Sequence, residues 1–172
     1  MVFLLARVMG RDIRKADITP RVTVLIAAFN EEREIGRTVL NKLSQDYPAD
    51  RLEVLVVSDG STDRTDEIVR ELARSHQGRV SLLRQEPRQG KTQALNMAVA
   101  HVAGEILIFS DANSLSRPDA LRRLVRGFAD SAVGYVSGQM IYTNPEGGGI
   151  GEGSGAYMRY ENLLRALETR VH

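Results

Sequence analysis

From Pro20 onward, short apolar runs alternate with segments whose apolar residues recur every three or four positions. The runs VTVLIAA (Val22 to Ala28), LEVLVVS (Leu52 to Ser58), VSLLRQ (Val80 to Gln85) and EILIFS (Glu105 to Ser110) have the length and the Val, Ile and Leu content of strands. Nearly continuous apolar strands belong to sheets covered on both faces, which are the parallel kind. VGYVSGQMIY is a fifth candidate strand. Between the runs, Ile35, Val39 and Leu43 predict one helix, and Ile68, Val69, Leu72 and Ala73 a second. A third is expected from about Lys91 to His101, and a fourth after Arg117-Pro118, where proline suits a first turn. Asn30 is placed to cap the first helix, with Glu31 and Glu32 in its first turn, and Thr62 or Asp63 to cap the second. The alternation predicts repeated β-α-β units, so that every strand delivers a loop and a helix start to one edge of the sheet. Ligands of open α/β sheets bind at that edge.

The flanks lack this pattern. Residues 1–20 open on MVFLLARVM and continue into the mixed charges of GRDIRKADITP; they read as a linker or a membrane-proximal segment ahead of a domain spanning 21–172. The apolar start is far shorter than the roughly 20 residues that cross a bilayer. NPEGGGIGEGSG, from Asn144 to Gly155, is expected to be a flexible loop. Beyond it, Tyr157, Tyr160, Leu164, Leu167 and Val171 fall on one side of a helix.

Composition narrows the function classes. The chain has 172 residues, one domain's worth, and a formal charge of +1, without the basic excess that phosphate-backbone binding favours, so nucleic acid is not an expected partner. It has no cysteine, which excludes disulfides and thiolate metal sites. His76, His101 and His172 lack the spacing of metal ligands.

RQGKTQALN (Arg88 to Asn96) imitates a phosphate-binding P-loop, but the first glycine of G-x-x-x-x-G-K-[ST] would have to stand where the chain has Gln85. Without it the backbone cannot make the tight left-handed turns of the cradle. No G-x-G-x-x-G follows any strand, so the dinucleotide fingerprint is absent as well. What remains is the set of strand-end loops: AAFNEE, SDGSTD, QGKTQALN and SDANS. Together they bring Glu31, Asp59 and Asp111 and the cation Lys91 to one edge. Carboxylates can hydrogen-bond a nucleoside there, while lysine, helix N-terminal amides and a metal held at Asp111 neutralise a diphosphate.

In this order and at these separations, VLIAAFNEE, VVSDGSTDRT, GKTQALNMA and FSDANS resemble the nucleotide-sugar half of family 2 glycosyltransferases, from about Arg21 to the C-terminus. The resemblance implies an α/β, Rossmann-like GT-A domain with a mainly parallel central sheet flanked by helices, read here as ending before the acceptor-binding half. It implies a donor site of Ala28, Phe29, Asn30, Glu31, Asp59, Lys91 and Asp111, with base and ribose against Phe29, Asn30, Glu31 and Asp59 and the diphosphate near Lys91. Asp111 to Asn113 stands at the D-x-D position, where Asp111 and Asn113 would bind Mg²⁺ or Mn²⁺. Asn113 departs from the pattern, offering a neutral carbonyl in place of a carboxylate, and predicts weaker metal affinity.

The implied activity is inverting transfer of a sugar from a nucleotide-diphosphate donor, with UDP favoured by family habit, to a polysaccharide or lipid-linked acceptor at the cytoplasmic side of a membrane. Relatives with flanking membrane helices make a membrane-embedded full-length protein part of that expectation. No residue matches the family's general base, so the chain by itself is expected to be inactive. The competing reading is a nucleotide-binding or docking module without transfer. A nucleotidyltransferase would need a G-x-G-x-R first loop, and AAFNEE is not one.

Overall fold

The structure, a computed structural model, describes residues 13–138. The described residues fall into two compact units, one spanning 17–126 and the other made of 13–16 and 127–138. In the second, Arg14 donates its backbone N–H to Asp130 Oδ2 at 3.3 Å and its Nη2 to the carbonyl of Ala129 at 3.0 Å.

The larger unit is built on β1 (Val22–Ala28), β2 (Leu52–Asp59), β3 (Val80–Gln85) and β4 (Ile106–Asp111), all parallel, in the order β3-β2-β1-β4. The helices are α1 (Ile35–Leu43), α2 (Thr65–Ser75), α3 (Lys91–Val99) and α4 (Ala120–Val125). Strand residues alternate between two faces, and each face has its own core. Val22, Val24, Ile26, Val54 and Val56 pack with Ile35 and Val39 of α1 and Val69 of α2, while Leu25, Leu55 and Val57 pack with Ala94 and Ala98 of α3. Helices on both faces explain why β1 and β2 read as unbroken apolar runs. The first four predicted strands therefore form, and they form the predicted kind of sheet.

The helix starts differ from expectation. Asn30 does not cap α1, which begins five residues later at Ile35 and has no acidic residue in its first turn. The reason lies in tertiary contacts. Asn30 adopts a left-handed φ of 54°, which asparagine tolerates, and its Oδ1 accepts the N–H of Thr62 at 2.8 Å. Glu31 turns the chain instead, its carbonyl accepting the N–H groups of Glu34 and Ile35. Asp63 does serve the start of α2: its Oδ1 accepts the N–H of Thr65 at 2.9 Å, although the helix itself begins only at Thr65. α3 ends at Val99, two residues short of the expected His101. Pro118 lies in the approach to α4 and not in its first turn.

Ile18 packs against the first core, and the carbonyls of Thr19 and Pro20 accept from Arg51 Nη1 and Tyr47 Oη. Of the expected fifth strand, residues 133–138 form no strand and the rest lies outside the described residues, as do the glycine-rich segment and the final helix. Among the described residues, no helix is long and apolar enough to cross a membrane.

Candidate functional site

Strand order locates the site. β2 and β3 extend the sheet on one side of β1 and β4 adds on the other, so the loops leaving β1 and β4 diverge above their carboxyl ends. There a depression of about 340 Å³ is lined by Ala27, Ala28, Phe29 and Glu31 at and after the end of β1 and by Asp111, Ala112 and Asn113 at and after the end of β4. Asp59, Arg88 and Lys91 complete the wall from the two other strand-end loops. Seven of the eight residues singled out from the sequence are among these. Asn30 is not; its backbone N–H donates to Ser61 Oγ and its side chain holds Thr62, so it ties the first loop to the second.

The same tie recurs beside it. Thr65 Oγ1 accepts the N–H of Glu31 at 2.8 Å, and Asp63 Oδ2 accepts that of Glu32 at 3.1 Å. The floor between β1 and β2 is thus locked by short polar side chains before any ligand arrives. Among the described residues, the Glu31 carboxylate has no hydrogen-bond or ion-pair partner.

Asp59 is the structural hinge of the far wall. At 3% exposure, its Oδ1 accepts Gln85 Nε2 at 2.6 Å and the N–H of Gln89 at 2.9 Å, while Oδ2 accepts the N–H of Gly90 at 2.9 Å. Arg88 Nε stands 3.6 Å from Oδ2. The carboxylate therefore closes the 86–90 loop and orients the start of α3, which carries Lys91. Burial alone would raise its carboxyl pKa, but hydrogen bonds from Gln89, Gln85 and Gly90, together with the Arg88 charge, hold it below the usual carboxylate range. Gly60 makes the approach possible: its φ is 68°, and a Cβ there would lie 3.1 Å from Cβ of Arg88.

A folded-state pKa below the unfolded one means that Asp59 contributes stability above the ordinary carboxylate range and loses it as pH falls through the lowered folded value. Asp59→Asn turns an acceptor oxygen into a donor facing N–H groups and should cost about 1–3 kcal/mol at pH 7. In urea unfolding, the gap between wild type and Asp59→Asn should narrow as pH drops below about 4. A gap independent of pH would mean that the carboxylate charge is not what holds the loop.

Arg88 lies over the Phe29 ring, its guanidinium carbon 3.8 Å from the ring centroid, so the pair forms a flat, cationic edge to the depression. Lys91 Nζ donates to Asp111 Oδ1 at 2.6 Å, with both side chains about half exposed. Exposed ion pairs contribute roughly 0–1 kcal/mol, so this one can exchange for ligand at little cost. An anion can take Lys91 while a cation takes Asp111.

Among the described residues, no group of three or more His, Cys, Asp or Glu side chains could hold a metal by itself. The donor set that is present, the Asp111 carboxylate and the Asn113 amide oxygen beside a lysine, fits a hard cation such as Mg²⁺ or Mn²⁺. Such ions take one or two protein oxygens and complete their shell with phosphate and water.

Reading the sequence missed Arg88, Gln85 and Lys42. Arg88 stands beside the glycine of the third loop, where only proximity to Gly90 marked it. Lys42 is carried on α1, where its helical spacing suggests an ordinary solvated residue. His76 and His101 make local contacts to the carbonyls of Leu72 and Met97, away from the depression.

The model of the family described as "Glycosyl transferase family 2" matches residues 23–171. A beta-monoglucosyldiacylglycerol synthase of Synechocystis sp. is 37% identical over 81% of this chain, which spans 29% of that protein. A mannosyltransferase from Pyrobaculum calidifontis, solved in complex with GDP-Man and Mn²⁺, superposes with a TM-score of 0.68 at 37% identity, over 77% of this chain and 40% of that one. S. aureus TarS 1-349 in complex with UDP-GlcNAc superposes at 0.55 with 28% identity, over 60% of this chain and 29% of that one. This chain thus spans less than half the length of each of these relatives.

Proposed function

The chain belongs to glycosyl transferase family 2 and has the α/β fold of its GT-A members, and from that premise we propose that it forms the donor side of an inverting sugar transferase. The donor is a nucleotide-diphosphate sugar, and the acceptor a glycolipid or growing polysaccharide at the cytoplasmic face of a membrane. The observation that carries this reading is the exchangeable Lys91–Asp111 pair at the β1/β4 switch point, 2.6 Å apart.

In the reaction, an acceptor oxygen forms a bond to the anomeric carbon as the bond to the diphosphate oxygen breaks, and the nucleoside diphosphate leaves with the electron pair. Phe29 and Arg88 flank the base, and Glu31 accepts hydrogen bonds from the ribose. Lys91, released from Asp111, donates to the diphosphate next to the N-terminus of α3, whose free N–H groups also favour an anion. Asp59 serves the donor by closing the loop that presents both cations. Asp111 and Asn113 would hold the divalent metal, which when bound would offset the charge on the leaving diphosphate. The acceptor's proton requires a general base, which this reading assigns to the acceptor half of the enzyme and not to the donor wall. The donor half alone then binds without transferring.

Isothermal titration of the folded chain with UDP and with GDP, each with and without Mn²⁺, tests the assignment and selects the base. One of the two nucleotides should bind at least about tenfold more tightly when Mn²⁺ is present, a gain of roughly 1.4 kcal/mol. Absence of binding by both nucleotides would remove the donor site from this chain.

A further inference from the structure

Lys42 is 4% exposed in the last turn of α1, and among the described residues it forms no ion pair. Its Nζ donates to the carbonyl of Ser114 and to Ser116 Oγ, both at 2.7 Å. These acceptors belong to the segment directly after Asp111–Asn113. Asn41 of α1 and the turn that follows the helix hold the same segment and the residues after it. Asn41 exchanges two hydrogen bonds with the backbone of Ser116, at 3.0 and 2.8 Å, the Asp46 N–H donates to the carbonyl of Pro118 at 2.8 Å, and Gln45 Oε1 accepts the N–H of Leu121 at 3.2 Å.

A buried ammonium is costly, and burial lowers the Lys42 pKa to about 8. Methionine of similar length would fill the space without that cost. What only the ammonium supplies is a pair of hydrogen bonds to the loop. The geometry points to Lys42 as a positioning residue that holds the 114–116 segment so that Asp111 and Asn113 present their oxygens together. This inference rests on the donor-site reading of Asp111 and Asn113. It assigns to α1, a helix that contributes no lining residue, control over the cation end of the site.

The test is Lys42→Met in the whole chain, with Ser116→Ala as a second variant that removes one acceptor of Lys42 from the loop side. Amide exchange at Ser116 should quicken in Lys42→Met, and the gain in UDP or GDP affinity on adding Mn²⁺ should shrink about tenfold, as for other residues that orient a metal ligand. Nucleotide affinity without Mn²⁺ should be unchanged and the unfolding midpoint unchanged or raised. Ser116→Ala should move the Mn²⁺ gain in the same direction by less, and it decides the matter if Lys42→Met does not fold. A wild-type gain that the folded variants leave intact would overturn the inference alone. A wild-type chain with no Mn²⁺ gain would overturn the donor-site reading and the inference with it.

Discussion

Asp111→Ala abolishes the Mn²⁺-dependent part of nucleotide binding, a loss equal to the whole wild-type gain of about tenfold or more, since even residues one step removed from a metal cost about 10–100-fold. Asp111 closes β4 opposite Ala27 of β1 and brings the one carboxylate on the β4 side of the depression. Without it, the amide oxygen of Asn113 is the remaining protein donor at that corner, too weak a partner for a divalent cation. The fold should survive, because the side chain is half exposed and its pair with Lys91 is worth roughly 0–1 kcal/mol. Binding of the same nucleotide without Mn²⁺ should be unchanged or slightly tighter, since Lys91 no longer has to leave a carboxylate. Titration of the variant with and without the metal separates the two effects. A variant that keeps the full Mn²⁺ gain would move the cation away from Asp111.

The second large effect concerns folding. A Cβ at Gly104 would lie 2.5 Å from the backbone nitrogen of Thr23, 2.7 Å from its Oγ1 and 2.9 Å from the carbonyl carbon of Val22. Thr23 is fully buried in β1, and its Oγ1 is already committed: it accepts the N–H of Gly104 and donates to Glu53. Nothing there is the free end of a flexible side chain, so β1 and the entry to β4 would have to separate. Gly104→Ala should cost about 3 kcal/mol or more, a large share of the roughly 5–15 kcal/mol that holds a domain together. Gly78→Ala is the control, because it meets no atom within 4 Å and suffers only from its φ of 77°, for about 1 kcal/mol. Urea unfolding of the two variants beside wild type measures both. Equal costs would mean that β1 and the approach to β4 can move apart without penalty.

Gly104 also marks where reading the sequence stopped. It stands before EILIFS and looks like ordinary punctuation; the close approach to β1 depends on a residue 81 positions away. Asp59 makes the same point at the site. Its place in SDGSTD brought it to the ligand edge, and the structure puts it in the wall, yet nothing local in that motif names Gln85, Gln89 and Gly90 as its partners.

The apolar patterning by itself determined the four strands, their parallel pairing, the helices between them and the edge at which the ligand-facing loops gather. It could do so because strand and helix periods are local, written within some ten residues, and because an all-apolar strand requires cover on both faces. The four loop motifs determined the family. Only the tertiary structure decided what each polar side chain does there: Asn30 binds one loop to another in place of capping a helix, Arg88 joins Phe29, Lys91 neutralises Asp111, and Lys42 reaches the segment behind Asn113. These contacts join residues 20 to 74 positions apart in the chain, as with Lys91 to Asp111 and Lys42 to Ser116, and hydrogen bonds between loops leave no period in the sequence.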